Sequence, residues 1–142
     1  MAFHEKANWV ILLVSIPVLV VYLVIILPQA LTEPIGDVPF AQPMVGAIVA
    51  FIALCIAGMI LAAATNPAEA EKQDERDTQI DQLGERVGNS LIAVGSVVAL
   101  ILALIEADHF WIANSIFFAG LAAAVASAVA KIAAYHGPFQ QW

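Results

Sequence analysis

Residues 65–88 read TNPAEAEKQDERDTQIDQLGERVG, and the fold follows from the contrast between this stretch and its surroundings. It holds Glu69, Glu71, Lys72, Asp74, Glu75, Arg76, Asp77, Asp81, Glu85 and Arg86, seven acids and three bases. The whole 142-residue chain has only 12 acidic and 5 basic residues, so more than half of its charge lies in one short insert. On either side charge nearly vanishes and long apolar runs take over.

Hydrophobic residues make up 62% of the chain and the mean hydropathy is +0.90, whereas soluble domains are roughly half apolar. A hydrocarbon core ~30 Å thick is crossed by about 20 apolar residues in a helix. Four runs meet that length: 9–27, 44–64, 87–105 and 111–130. The prediction is an all-α membrane protein with one domain, 1–142, whose four transmembrane helices form an antiparallel bundle. The charged insert, 65–86, falls between the second and third helices. The first run is of spanning length and ends in LPQALTEP without a small-x-small cleavage site, so it is expected to remain as a span. Cys55 is the sole cysteine, which excludes an intrachain disulfide and a cysteine metal cage.

Orientation follows from the basic residues. Lys6, Lys72, Arg76, Arg86 and Lys131 lie near the N-terminus, in the insert or at the end of the fourth run, while 28–42 and 106–110 contain no Lys or Arg. The positive-inside tendency therefore predicts cytoplasmic termini, N-in and C-in, and a cytoplasmic insert. The lipid bilayer is the first expected partner. With net charge −7 and no basic patch, direct nucleic-acid binding is not expected.

Local signals refine the spans. Pro17 is expected to bend the first helix, and the prolines between 28 and 43 to hold the chain in a loop. Asn66, Pro67 and Glu69 make a helix start. Ile80, Leu83 and Val87 recur at helical spacing, so the third span is expected to begin inside the insert. The turn EADHFW closes a tight hairpin, and Lys131 is expected to snorkel to the headgroups. Small residues fall in stripes: Gly46, Ala50, Ala53 and Ala57; Gly84, Gly88, Gly95, Ala99 and Ala103; Gly120, Ala124 and Ala128. Such stripes let membrane helices approach closely. Gly46, Gly88, Gly95, Gly120 and Ala124 are the expected packing positions, and a homo-oligomer, most simply a dimer, is expected from them.

Phe3 to Lys6, FHEK, is followed by Trp9, and the insert contains DERDTQI from Asp74 to Ile80 with Gly84 beyond it. In these motifs and in layout along its whole length the chain resembles a family of uncharacterised bacterial four-span membrane proteins. Members of that family are often encoded beside a short helix-turn-helix regulator. The resemblance implies a bacterial inner (plasma) membrane protein with a cytoplasmic regulatory partner, and it carries no biochemical activity. The loop 28–42 departs from the family pattern, so nothing is implied for it.

Asp74, Glu75, Arg76 and Asp77, with His4 and Glu5, are the candidate partner-binding residues, a charged surface on which a basic protein could dock. His136 is close enough in the predicted layout to join them. The plainer alternative is a set of solvated helix ends. On the other side Glu106, Asp108 and His109, with Glu33 and Asp37, are metal-ligand types, and the plainer alternative is a polar turn. The four runs contain no Asp, Glu, His or Arg, which argues against a proton relay or coupled transporter. No nucleophile and base pair suggests an enzyme, and no cofactor is implied. The expected function is that of an adaptor or regulatory partner acting through the acidic insert. The alternative is an oligomeric channel or small-molecule transporter lined by Ser15, Ser96, Asn114, Ser115 and Ser127.

Overall fold

The computed structural model describes residues 3–65 and 75–137. It contains four long helices: α1 Phe3–Thr32, α2 Ala41–Thr65, α3 Glu75–Leu104 and α4 His109–His136, with a 3-10 turn at Ile35–Asp37. All four are long and apolar enough to cross a membrane. Each carries helix beyond the predicted run, because a helix satisfies its own backbone wherever hydrocarbon gives way to headgroups. The helix start expected at Asn66 lies outside the described residues. The third span does begin within the charged insert, and α3 runs without interruption from Glu75.

The first helix departs from expectation at its far end. Pro28 was expected to open the loop, yet α1 continues through it to Thr32. A proline removes one helical hydrogen bond, but the turn that follows is secured locally. The Thr32 hydroxyl donates to the Pro28 carbonyl at 2.8 Å, Glu33 N–H donates to the Gln29 carbonyl, and Ala30 packs on the core. The chain is then reversed by Pro34, whose carbonyl accepts from Asp37 N–H. Pro43 sits in the first turn of α2, where a missing N–H costs nothing.

The helices stand in the order α2, α1, α4, α3: α1 packs on both α2 and α4, and α3 packs on α4. One cluster fills the half of the bundle near the 33–40 loop. It joins Tyr22 and Ile26 of α1, Val38, Met44 of α2, and Phe110, Phe117 and Leu121 of α4. Tyr22 and Phe117 are in ring contact at 4.6 Å, and Phe40 meets Phe110 edge-on. Large apolar side chains such as Leu13, Leu31, Leu61 and Leu104 point outward, as expected for surfaces solvated by lipid.

The α3–α4 seam is made by the absence of side chains. A Cβ on Gly95 would overlap Ala119, one on Gly84 would overlap the Lys131 stem, and one on Gly88 would lie 3.3 Å from the Ala123 carbonyl oxygen. Two of the five expected packing positions, Gly88 and Gly95, are therefore used within the chain. Ala124 is half-buried, whereas nothing lies within 4 Å of a Cβ built on Gly46 or Gly120. On α2 the expected stripe of Gly46, Ala50, Ala53 and Ala57 is exposed. That helix packs instead through Met44, Phe51, Cys55 and Gly58, the last set against Val10. Larger side chains on that opposite face reach α1 and the core, so the small residues are left facing out.

The α3–α4 hairpin closes with Ala107 N–H donating to the Leu102 carbonyl and Glu106 N–H to the Ala103 carbonyl. This is a Schellman helix end. Glu106 occupies its left-handed position, with φ of 56°.

Candidate functional site

Polar side chains that cross between helices concentrate at the end of the bundle where the described chain begins, breaks for the insert and ends. On α3, Asp77, Asp81, Gly84 and Gly88 follow at steps of four, three and four residues and so share one face. On α4, Ser127, Lys131 and Tyr135 do the same. Because the helices are antiparallel, each turn down α3 meets one turn up α4. Tyr135 Oη donates to Asp77 Oδ1 at 2.8 Å, and Lys131 Nζ pairs with Asp81 Oδ1 at 3.0 Å. Lys131, its ammonium expected among the headgroups, is thus paired with a carboxylate of the neighbouring helix. Its stem lies over Gly84, and that groove delivers the ammonium to Asp81.

The other seams are tied at the same end. Glu5 of α1 is 10% exposed at its side chain, and its Oε1 lies 3.4 Å from His136 Nε2 of α4. His136 Nδ1 lies 3.0 Å from the Ile132 carbonyl oxygen. Lys6 Nζ donates to Thr65 Oγ1 at the end of α2 at 3.3 Å. Each pair of helices in the row is therefore bridged at this end by at least one polar side-chain contact.

The sequence-predicted docking residues separate into two groups. Glu5 and Asp77 turn inward and are held by α4, whereas Glu75 and Arg76 are exposed. His4 is half-buried and engaged, and Asp74 lies outside the described residues. Among the described residues no carboxylate is paired with Arg76 or Arg86. On the opposite side Glu106, Asp108 and His109 are exposed, and no three His, Cys, Asp or Glu side chains among the described residues converge on a metal position.

A second polar feature escaped the sequence reading. Asn8, Ser15 and Tyr22 recur every seven residues on α1 and are 5%, 2% and 1% exposed. A seven-residue repeat keeps one stripe of a helix facing a neighbour, so the buried line of this apolar helix is partly polar. Asn8 donates to the His4 carbonyl and Ser15 to the Ile11 carbonyl. Tyr22 Oη donates to Asn114 Oδ1 at 2.6 Å, while Asn114 Nδ2 donates to the Phe110 carbonyl. The heptad spacing was the available signal, hidden because Tyr22 counts as aromatic and Asn8 precedes the apolar run. Of the residues suggested as a channel lining, Ser15, Ser96, Asn114 and Ser115 all donate to carbonyls of their own helices.

Comparison with known proteins finds no matching family model, no similar curated protein and no similar solved structure.

Proposed function

We propose that the chain is a small multi-pass adaptor or regulatory partner of the bacterial plasma membrane, with both termini and the insert cytoplasmic, that docks a basic cytoplasmic protein through residues around Asp74 and Glu75. It acts without catalysis or cofactor, as a homo-oligomer. The observation that carries this reading is the division of labour among the insert acids. Asp77 and Asp81 brace the start of α3 against Tyr135 and Lys131, so the helix that leads out of the insert is held in place by its own bundle. The exposed charges further along, Glu85 and Arg86, balance each other. Glu69, Glu71, Asp74 and Glu75, set against Lys72 and Arg76, carry the remaining net charge of −2. The family resemblance through FHEK and DERDTQI adds a regulatory protein as the partner class.

The alternative channel or transporter reading would need an open polar lining. Four of its five suggested residues already use their donors on their own helices, so the adaptor reading is preferred. Recovery of a partner from native membranes tests it. Asp74→Asn with Glu75→Gln should abolish recovery. Recovery from the unaltered chain should also fall as salt rises from about 0.01 M to about 0.15 M, where the Debye length shrinks from about 30 to about 8 Å. Recovery that ignores both the substitutions and the salt would refute docking through this segment.

A further inference from the structure

His136 lies between two acceptors. Its Nδ1 is 3.0 Å from the Ile132 carbonyl oxygen and its Nε2 is 3.4 Å from Glu5 Oε1. A neutral imidazole carries one N–H and one lone pair, so it can satisfy only one of these contacts and turns a lone pair toward the other acceptor. The imidazolium has two N–H groups and satisfies both. Glu5 is the partner with most at stake, because its carboxylate is largely shielded from water while the imidazole is 65% exposed. In the neutral tautomer whose N–H stays on Nδ1 toward the Ile132 carbonyl, the Nε2 lone pair faces this carboxylate, which is then left poorly compensated.

We propose that Glu5 and His136 form a proton-sensitive latch that fastens the first turn of α1 to the last turn of α4. The latch is closed when His136 is protonated and opens as the proton leaves. The charged and titratable groups at this end come from all four helices. Glu5 stands on α1 with His4 and Lys6 beside it, Asp77 and Asp81 come from α3, Lys131 and Tyr135 share α4, and α2 brings Thr65 to this end. Lys131 is matched to Asp81 and Asp77 accepts from the neutral Tyr135 phenol, so Glu5 is the carboxylate that faces the imidazole. Opening of the latch would free the first turn of α1 from the last turn of α4, beside Lys6 and its tie to Thr65 of α2. The latch stands apart from the docking proposal, since it needs no partner and does not involve Asp74 or Glu75.

The test uses the full chain in lipid nanodiscs with Cys55→Ala and nitroxides at Trp9→Cys and Ala133→Cys, both exposed positions. Double electron–electron resonance distances are compared at about pH 5.5 and about pH 8. One short distance is expected at the lower pH, with a longer or broader population at the higher. His136→Gln and Glu5→Gln should each remove the difference. A distance distribution that is the same at both pH values in the otherwise unaltered chain overturns the latch, and so does a pH response that survives in either variant. No recovery of a partner is measured, so failure here leaves the docking proposal standing.

Discussion

Tyr135 and Asp77 stand 58 residues apart in the chain and are joined by a 2.8 Å hydrogen bond, the phenol donating to the carboxylate. One helical turn deeper Lys131 meets Asp81. The two contacts form a ladder that ties the emerging end of α3 to the final turns of α4. A residue that looked available to a partner is thereby committed to the fold.

Tyr135→Phe removes the donor and leaves the Asp77 carboxylate half-buried. Hydrogen bonds to charged groups contribute about 1.5–3 kcal/mol when well shielded, and partial exposure should bring the loss to about 1 kcal/mol. Thermal unfolding in mild detergent should show it. Partner recovery should be retained, in contrast to the Asp74 and Glu75 double substitution. If Tyr135→Phe left stability untouched and abolished recovery, the roles assigned to the two groups would be reversed.

The glycines give a paired test. Gly95→Leu must force α3 away from Ala119 and should destabilise the single chain by about 3 kcal/mol. Gly120 has open space before it and borders an apolar groove of about 350 Å³ between α2 and α4. Gly120→Leu should therefore leave unfolding unchanged and act, if anywhere, on assembly. Native mass spectrometry beside a melting curve distinguishes the two, and an equal loss of stability in both variants would contradict the difference in packing.

Glu106 is the residue with positive φ outside glycine among those described. A left-handed residue with a Cβ costs roughly 1–2 kcal/mol, and a carboxylate beside a helix C-terminus is also unfavourable. Glu106→Gly should raise stability by about 1 kcal/mol. A lower melting temperature would mean that the Glu106 side chain makes a compensating interaction.

The four helices were legible because hydropathy over about 20 residues reports the solvent that surrounds a segment, and hydropathy needs no knowledge of neighbours. What was not legible depends on which helix stands beside which. That Lys131 lays its stem over Gly84 and pairs with Asp81 follows only from the α3–α4 pairing. Gly95 and Gly120 look alike in sequence, and only the pairing of α3 with α4 makes one a buried contact and leaves the other exposed. Pro28 reads as a terminator because the threonine that closes the turn above it is a weak local signal. The candidate docking residues were grouped by charge, and charge alone does not tell Asp77, which faces Tyr135, from Glu75, which faces out.

Tyr22 and Asn114 offer the sharpest test of the α1–α4 seam. They bridge 92 residues with a 2.6 Å hydrogen bond inside the membrane-spanning part of the bundle, and both are nearly inaccessible. Asn114 spends its amide N–H on the Phe110 carbonyl, so the carboxamide oxygen depends on the Tyr22 hydroxyl. Tyr22→Phe keeps the ring contact with Phe117 and removes only that hydroxyl, leaving a buried acceptor without a donor. Hydrogen bonds between membrane helices contribute about 0.6 kcal/mol on average and reach about 1.7 kcal/mol. The short distance and full burial place this one toward the upper end. Asn114→Leu removes the acceptor and leaves the buried Tyr22 hydroxyl without one, so adding Tyr22→Phe should cost nothing further and the double variant should be no less stable than Asn114→Leu alone. A double-mutant cycle read by unfolding in mixed micelles should give a coupling of about 1 kcal/mol. Strictly additive losses would mean that the polar stripe of α1 does not select its neighbour through this bond, and that shape alone holds α1 against α4.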